Sequence, residues 1–126
     1  DGDVAGVFHT TEPSTGIDLY VGQGGAPEGV LAAAALRCVG GQMQGRLVFR
    51  SDDEKERAAR AGIKNLSRKY GLMDLCGGDV FFAATGVTNG TMLDGVKWEP
   101  GHISTHTVVM RSKTGTIRYI RARTRR

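Results

Sequence analysis

Apolar positions along the chain fall into short runs and one long run. Residues 17–21 (Ile-Asp-Leu-Tyr-Val) form a short apolar run, and residues 30–36 form a long one rich in alanine. A glycine-rich segment, residues 24–29 (Gly-Gly-Ala-Pro-Glu-Gly), separates them. This order predicts a buried strand, a tight turn and a buried helix. We therefore expect a strand over 17–21 and a helix over 28–38.

Three further elements are predicted in the first half of the chain. Residues 3–10 are expected to form a short helix with Asp3 as its N-cap. Residues 43–49 alternate loosely between apolar and polar side chains, which predicts a strand. Residues 51–54 (Ser-Asp-Asp-Glu) form a capping box, which predicts the start of a surface helix that Gly62 ends.

The second half of the chain reads as strands. Residues 80–84 form a continuous apolar run, which predicts a strand in the centre of a sheet. Residues 96–98 are expected to form a short extended segment. Residues 102–110 and 116–121 predict a β-hairpin around a Ser-Lys-Thr-Gly turn. The fold class expected from the whole pattern is α/β, a mixed β-sheet flanked by helices.

Length and composition limit the classes of protein to consider. The chain has 126 residues, of which 40% are hydrophobic, so we expect one domain with a modest core. No apolar run approaches the roughly 20 residues that span a bilayer, so no membrane partner is expected. Cys38 is expected to be a small core residue, and a disulfide to Cys76 is the less favoured alternative. The three histidines are scattered, which argues against a zinc site.

The charge pattern suggests a nucleic-acid partner only weakly. The net charge is +4, and residues 111–126 contain seven basic side chains without an acidic one. A basic tail can bind nucleic acid. However, an aromatic stacking set and a recognition helix do not accompany it. A solvated edge strand is the favoured interpretation, because edge charges also oppose aggregation of sheets.

The glycine turn is the first candidate site. The free N–H groups at a helix start favour an anion such as phosphate, and Gly24 and Gly25 would let that anion approach the backbone. Glu28 in the first turn would repel a phosphate unless a cation lay between them, which suggests a Mg²⁺ or Mn²⁺ site. An ordinary turn followed by a helix-starting glutamate explains the same residues, and the motif alone leaves both readings open.

The acidic start of the chain is the second candidate. Asp1, Gly2 and Asp3 could hold sugar hydroxyls or a cation. From the local sequence alone, the favoured interpretation is that Asp3 only caps a helix.

Several segments in order resemble one enzyme family. Residues 1–5 (Asp-Gly-Asp-Val-Ala), 24–29 and 84–90 (Ala-Thr-Gly-Val-Thr-Asn-Gly) together resemble the C-terminal part of class II fructose-1,6-bisphosphatases, the GlpX-type sugar bisphosphatases. The resemblance covers essentially all of the chain. It implies that residues 1–126 form a single C-terminal domain that contributes to substrate and metal binding, in the layered fold of inositol-monophosphatase-like enzymes. It further implies that the catalytic N-terminal half of such an enzyme lies outside these residues.

The resemblance also implies roles for individual residues. Asp1, Gly2, Asp3 and Gly25 would contact the sugar bisphosphate, and Glu28 would bind the divalent metal, Mn²⁺ or Mg²⁺. No catalytic residue is assigned to this chain. The implied reaction is hydrolysis of the 1-phosphate of fructose 1,6-bisphosphate to fructose 6-phosphate, as in gluconeogenesis, with sedoheptulose 1,7-bisphosphate as a second candidate substrate.

The expected partners are the sugar bisphosphate, the missing N-terminal half and further copies of the chain in a homo-oligomer. A cytoplasmic location is expected, and the isolated fragment is expected to be inactive. The main alternative is a non-catalytic module that binds sugar phosphates. Metal dependence separates it from a phosphatase, and salt dependence would identify a nucleic-acid-binding protein.

Overall fold

A computed structural model describes residues 2–126. The helices are α1 (Gly2–His9), α2 (Ala26–Val39), α3 (Asp52–Arg60) and α4 (Leu72–Leu75), with a 3₁₀ turn at Pro13–Thr15. The strands are β1 (Gln44–Gly45), β2 (Tyr70–Gly71), β3 (Phe81–Thr85), β4 (Lys97–Glu99), β5 (His102–Arg111) and β6 (Thr116–Arg125). These elements confirm the expected α/β class.

Strand β5 is the centre of the larger sheet. β6 pairs with β5 along the whole of one edge, from the pair His102–Arg125 to the pair Arg111–Thr116. β3 and β4 pair with different parts of the opposite edge. Each of these pairings is antiparallel, and so is the pairing of β1 with β2 in the smaller sheet. The face of the larger sheet that carries Phe82, Val108 and Met110 is buried.

Helix α2 covers this buried face. Its inward side consists of small residues and one leucine, Ala32, Ala33, Ala35, Leu36 and Cys38. The core cluster joins this helix to Phe8 on α1, to β3 and β5, and to Leu93 in the loop after β3. Small side chains let a helix approach a sheet closely, so the alanine-rich run is explained by packing.

Helices α1 and α2 lie side by side and run in the same direction. Asp3 at the start of α1 lies next to Gly24, just before α2, and Thr11 after α1 lies next to Gly41, just after α2. The irregular segment 16–25, which forms neither helix nor strand, leads the chain back from the end of one helix to the start of the other. Both helix N-termini therefore lie at the same end of the molecule.

The predicted helix and hairpin boundaries are confirmed with small shifts. α2 begins at Ala26 with Gly25 as its N-cap and ends at Gly40, which has a left-handed φ of 79°. The Ser51 side chain accepts a hydrogen bond from the Glu54 N–H at the start of α3, as the capping box predicts. Asp3 is the second residue of α1 and not its N-cap, because the helix already begins at Gly2.

Three strand predictions are wrong in the part of the chain that the structure describes. Residues 17–21 form no strand, and Leu19 and Val21 are 76% and 85% exposed, because no other described segment pairs with them. Residues 43–49 pair only at Gln44–Gly45. The strand over 80–84 forms as β3 but lies at an edge of the sheet, because β5 takes the central place.

The face of the larger sheet opposite α2 remains largely exposed. The register with β5 places Phe81, Trp98 and Ile120 on this face, where they are 72%, 68% and 44% exposed. Within residues 2–126, the helices are too short or too polar to cross a membrane.

Candidate functional site

The turn before α2 brings the Glu28 carboxylate against the backbone of Gly25. Gly25 is extended, with φ −66° and ψ 150°, and its carbonyl accepts the first helical hydrogen bond, from the Gly29 N–H at 3.0 Å. A Cβ added at Gly25 would collide with Oε2 of Glu28. The missing side chain at position 25 is therefore what lets the carboxylate of Glu28 fold back over the turn.

The neighbouring glycine lies against a second carboxylate. A Cβ added at Gly24 would lie 3.0 Å from Oδ2 of Asp3, which belongs to the first turn of α1. Asp3 and Glu28 thus lie at adjacent glycines, and each is in the first turn of its own helix. The positive ends of two helix dipoles favour both carboxylates and would also favour an anion at this end.

Tyr20 contacts Asp3 directly, which the sequence analysis did not predict. The hydroxyl group of Tyr20 donates a hydrogen bond to Oδ1 of Asp3 at 3.0 Å. This hydrogen bond raises the pKa of Tyr20, because loss of the phenol proton would break the bond to the Asp3 carboxylate. The two residues are 17 positions apart, so neither helical nor strand periodicity could indicate their contact.

The structure accounts for the predicted site residues as follows. Asp3, Gly25 and Glu28 lie at the shared end of α1 and α2, and Gly2 is the first residue of α1. Asp1 lies outside the described residues.

Hard divalent cations need several oxygen ligands. Within residues 2–126, no three His, Cys, Asp or Glu side chains are grouped so that they could hold a metal ion. A metal ion at Glu28 would therefore need further ligands besides the grouped side chains of residues 2–126.

A second cluster of polar groups joins the loop after β3 to the hairpin. Arg121 on β6 donates to Oδ2 of Asp94 at 2.8 Å, and Lys97 lies 3.9 Å from the same oxygen. The backbone N–H of Asp94 donates to Nδ1 of His106 at 3.0 Å. The Arg121 guanidinium holds the pKa of the Asp94 carboxyl below its usual value, and Lys97 and His106 add to this effect.

A second carboxylate lies at the other end of this cluster. The Ser104 hydroxyl donates to Oε2 of Glu99 at 2.8 Å, and Nε2 of His102 lies 2.7 Å from the same oxygen. The Ser104 hydrogen bond, followed by the charges of His102 and Arg123, lowers the pKa of Glu99. The groove between Asp94 and Glu99 has a volume of about 360 Å³.

The contacts of His106 give it a structural role. Its ring accepts a backbone hydrogen bond, and its own carbonyl accepts another from the Gly86 N–H at 3.0 Å. A Cβ at Gly86 would collide with the Asp94 carbonyl, so the two ends of the loop over 86–94 are in close contact. These contacts fit a structural role of His106 better than a ligand contact.

Comparison with known proteins gives a consistent result. The family model for bacterial, glpX-encoded fructose-1,6-bisphosphatases matches residues 1–124 of the chain. A class 2 fructose-1,6-bisphosphatase of Haemophilus influenzae is 41% identical over 97% of the chain and 40% of its own length.

Two cyanobacterial relatives carry the name D-fructose 1,6-bisphosphatase class 2/sedoheptulose 1,7-bisphosphatase. The relative from Synechocystis sp. is 38% identical and the one from Microcystis aeruginosa is 36% identical, each over 95% of the chain. The chain spans 39% of the length of each of these two proteins. The family match covers Asp3 and the glycine turn, which meet at the N-terminal ends of α1 and α2. The chain therefore belongs to the family of bacterial, glpX-encoded class 2 fructose-1,6-bisphosphatases.

Proposed function

We propose that this chain supplies substrate and metal contacts to a phosphatase that hydrolyses the 1-phosphate of fructose 1,6-bisphosphate to fructose 6-phosphate. One observation carries the proposal: Asp3 and Glu28 lie at adjacent glycines, where two helices of the same direction begin. This arrangement brings a carboxylate that can accept from sugar hydroxyls, a hard metal ligand and free backbone N–H groups together where the two helices begin. The names of the relatives support the choice of substrate.

The roles proposed for the residues follow from their chemistry. Asp3, with Asp1 and Gly2 beside it in the sequence, accepts hydrogen bonds from sugar hydroxyls, because an ionised carboxylate can only accept. Gly25 leaves space for the substrate at the start of α2. Glu28 supplies one oxygen ligand to Mn²⁺ or Mg²⁺, which when bound neutralises phosphate oxygens and the charge that develops on the leaving oxygen.

The rest of the metal site belongs to another part of the protein in this proposal. Magnesium prefers six oxygen ligands, and the described residues offer Glu28 without two further grouped ligands. The relatives are more than twice as long as this chain, which leaves ample sequence for the remaining ligands and for the group that activates the attacking water. Residues 1–126 then act as one domain of a longer, cytoplasmic enzyme that forms homo-oligomers.

Phosphate release tests the proposal. The full-length protein should release inorganic phosphate from fructose 1,6-bisphosphate with Mn²⁺ or Mg²⁺, and a chelator should abolish the release. A parallel assay with sedoheptulose 1,7-bisphosphate establishes whether the second sugar is a substrate. Metal-independent binding of the sugar phosphate without turnover would instead identify a binding module. Binding of nucleic acid that weakens steeply with salt, without turnover, would identify the third alternative.

A further inference from the structure

Tyr20 joins the irregular segment 16–25 to the first turns of α1. Its aromatic ring lies against Gly6, where an added Cβ would come within 2.8 Å of Cε2. The opposite edge of the ring lies against Gly22, where an added Cβ would come within 2.8 Å of the hydroxyl oxygen and 2.9 Å of Cε1. Any side chain at position 6 or 22 would displace the ring, so the two glycines define where the ring can lie.

The fixed ring determines where the hydroxyl group points. From this position the hydroxyl donates to Oδ1 of Asp3 at 3.0 Å. Gly6 follows Asp3 by three residues in α1, so both lie on the same side of the helix, under the tyrosine. A hydrogen bond to one carboxylate oxygen fixes the rotation of the group about its Cβ–Cγ bond. The direction of the other oxygen, Oδ2 beside Gly24, is then fixed as well.

We propose that Tyr20 is a positioning residue for the sugar-binding carboxylate: it holds Asp3 at the glycine turn in the orientation that accepts a substrate hydroxyl. The inference rests on the proposed function, in which Asp3 contacts the sugar. In this proposal Tyr20 acts through Asp3, and not through the metal ligand Glu28 or the reacting phosphate. Its loss therefore weakens substrate binding more than it slows the chemical step.

Steady-state kinetics of the full-length enzyme test this role. Tyr20→Phe keeps the ring on Gly6 and Gly22 and removes only the hydroxyl. We expect KM for fructose 1,6-bisphosphate to rise about tenfold, the usual effect of losing one hydrogen bond to a charged group, with a smaller change in kcat. Tyr70→Phe in β2 is the matched control and should leave both constants unchanged.

A double-mutant cycle shows whether Tyr20 acts through Asp3. In the background of Asp3→Asn, the additional change Tyr20→Phe should raise KM by less than twofold, because the group that it positions is already altered. Gly6→Ala displaces the ring by a different route and should reproduce the higher KM of Tyr20→Phe, although alanine favours the helix. Gly45→Ala, which has open space around its Cβ position, is the control.

The outcomes separate this inference from the proposed function. An active wild-type enzyme whose KM is unchanged by both Tyr20→Phe and Gly6→Ala would overturn the positioning role alone. Equal KM increases from Tyr20→Phe with and without Asp3→Asn would also overturn it, because Tyr20 would then act independently of Asp3. A wild-type protein that folds but releases no phosphate would overturn the proposed function, and with it the inference.

Discussion

Glu28 is the residue whose replacement tests the proposed metal site most directly. Glu28→Gln keeps the size of the side chain and one of its acceptor oxygens but replaces the other by an NH2 group and removes the charge. We expect kcat/KM of the full-length enzyme to fall more than about 100-fold at ordinary Mn²⁺ concentration, with a change in unfolding free energy under about 0.5 kcal/mol. Phosphate release and thermal melting measure the two effects.

The control for this substitution is Glu56→Gln. Glu56 lies on the exposed side of α3, where it pairs with Arg60 at 3.3 Å. Wild-type turnover by Glu28→Gln at ordinary Mn²⁺ would remove Glu28 from the metal site.

Gly25 gives a second prediction, for which the structure adds a reason. A valine at this position would place its Cβ against Oε2 of Glu28, so it would displace the carboxylate as well as fill space that the substrate needs. We expect Gly25→Val to raise KM and to raise the Mn²⁺ concentration needed for half-maximal rate, each at least about tenfold. Gly45→Val, with open space around its Cβ position, is the control. A variant that folds and needs no more Mn²⁺ than the wild type would leave Gly25 as an ordinary turn residue.

The sequence was informative about this site where the contacts are local. Gly25 and Glu28 are three positions apart, so the motif that contains them also brings them together. The carboxylate of Asp3 reaches the same turn only through the side-by-side packing of α1 and α2, and the residues alone favoured a capping role for it. Tyr20 was predicted only as part of the strand expected over 17–21. Its bond to Asp3 depends on how an unpaired segment folds back over a helix, and no periodic pattern encodes that.

Two adjacent phenylalanines on β3 test which face of the sheet holds the core. Phe82 is 7% exposed and belongs to the core cluster, whereas Phe81 points to the opposite face and is 72% exposed. We expect Phe82→Ala to lower the free energy of unfolding by about 3–5 kcal/mol, and Phe81→Ala by less than about 1 kcal/mol. Urea denaturation followed by circular dichroism measures both. Equal losses would contradict the described orientation of β3.

The polar cluster that contains Asp94 and Glu99 makes the stability of the folded chain depend on pH. The folded state lowers the pKa values of Asp94 and Glu99, so their contribution is complete above the unfolded value of about 4 and disappears as the pH falls through the lower folded values. We expect the melting temperature to drop between about pH 4 and pH 2. Asp94→Asn should reduce the size of that drop, because one of the two carboxyls no longer titrates. An equal fall in melting temperature in the wild type and in Asp94→Asn would exclude Asp94 as a contributor to the pH dependence of stability.

Helices and the hairpin were predictable because their signals are short-range. The capping box at Ser51 marks the start of α3, and Gly40 marks the end of α2, through contacts between residues close in sequence. The pairing of β5 with β6 is set by the short turn between them. The strand expected over 17–21 has the right residues, but a strand also needs a partner, and its identity is not written in the segment itself. The edge position of β3 likewise depends on β5, which follows it in the chain by 16 residues.

The behaviour of the isolated chain gives the last prediction. It should fold, because α1, α2, β3 and β5 share a core. It should release no phosphate from fructose 1,6-bisphosphate with Mn²⁺, because one carboxylate cannot hold a catalytic divalent ion. The exposed residues of segment 16–25 and of the outer sheet face, Leu19, Val21, Phe81 and Trp98 among them, should make it self-associate.

Phosphate release and light scattering on the same sample test both parts. Robust turnover by residues 1–126 alone would overturn the idea of a site shared with another part of the protein. A strictly monomeric chain at high concentration would contradict the role of the exposed apolar residues in association and leave the functional proposal unaffected.

The position of Trp98 determines what an optical experiment on this protein observes. It is the single tryptophan of the chain, and the guanidinium group of Arg126 lies 5.4 Å above its ring, while the backbone N–H of Arg126 donates to the Gly101 carbonyl at 3.0 Å. Its fluorescence is therefore sensitive to the docking of Arg126 against β4, at the rim of the sheet and away from the core. A fluorescence signal records fraying of the segment at Arg126, whereas circular dichroism records the melting of the helices, so different midpoints from the two probes need not indicate a folding intermediate.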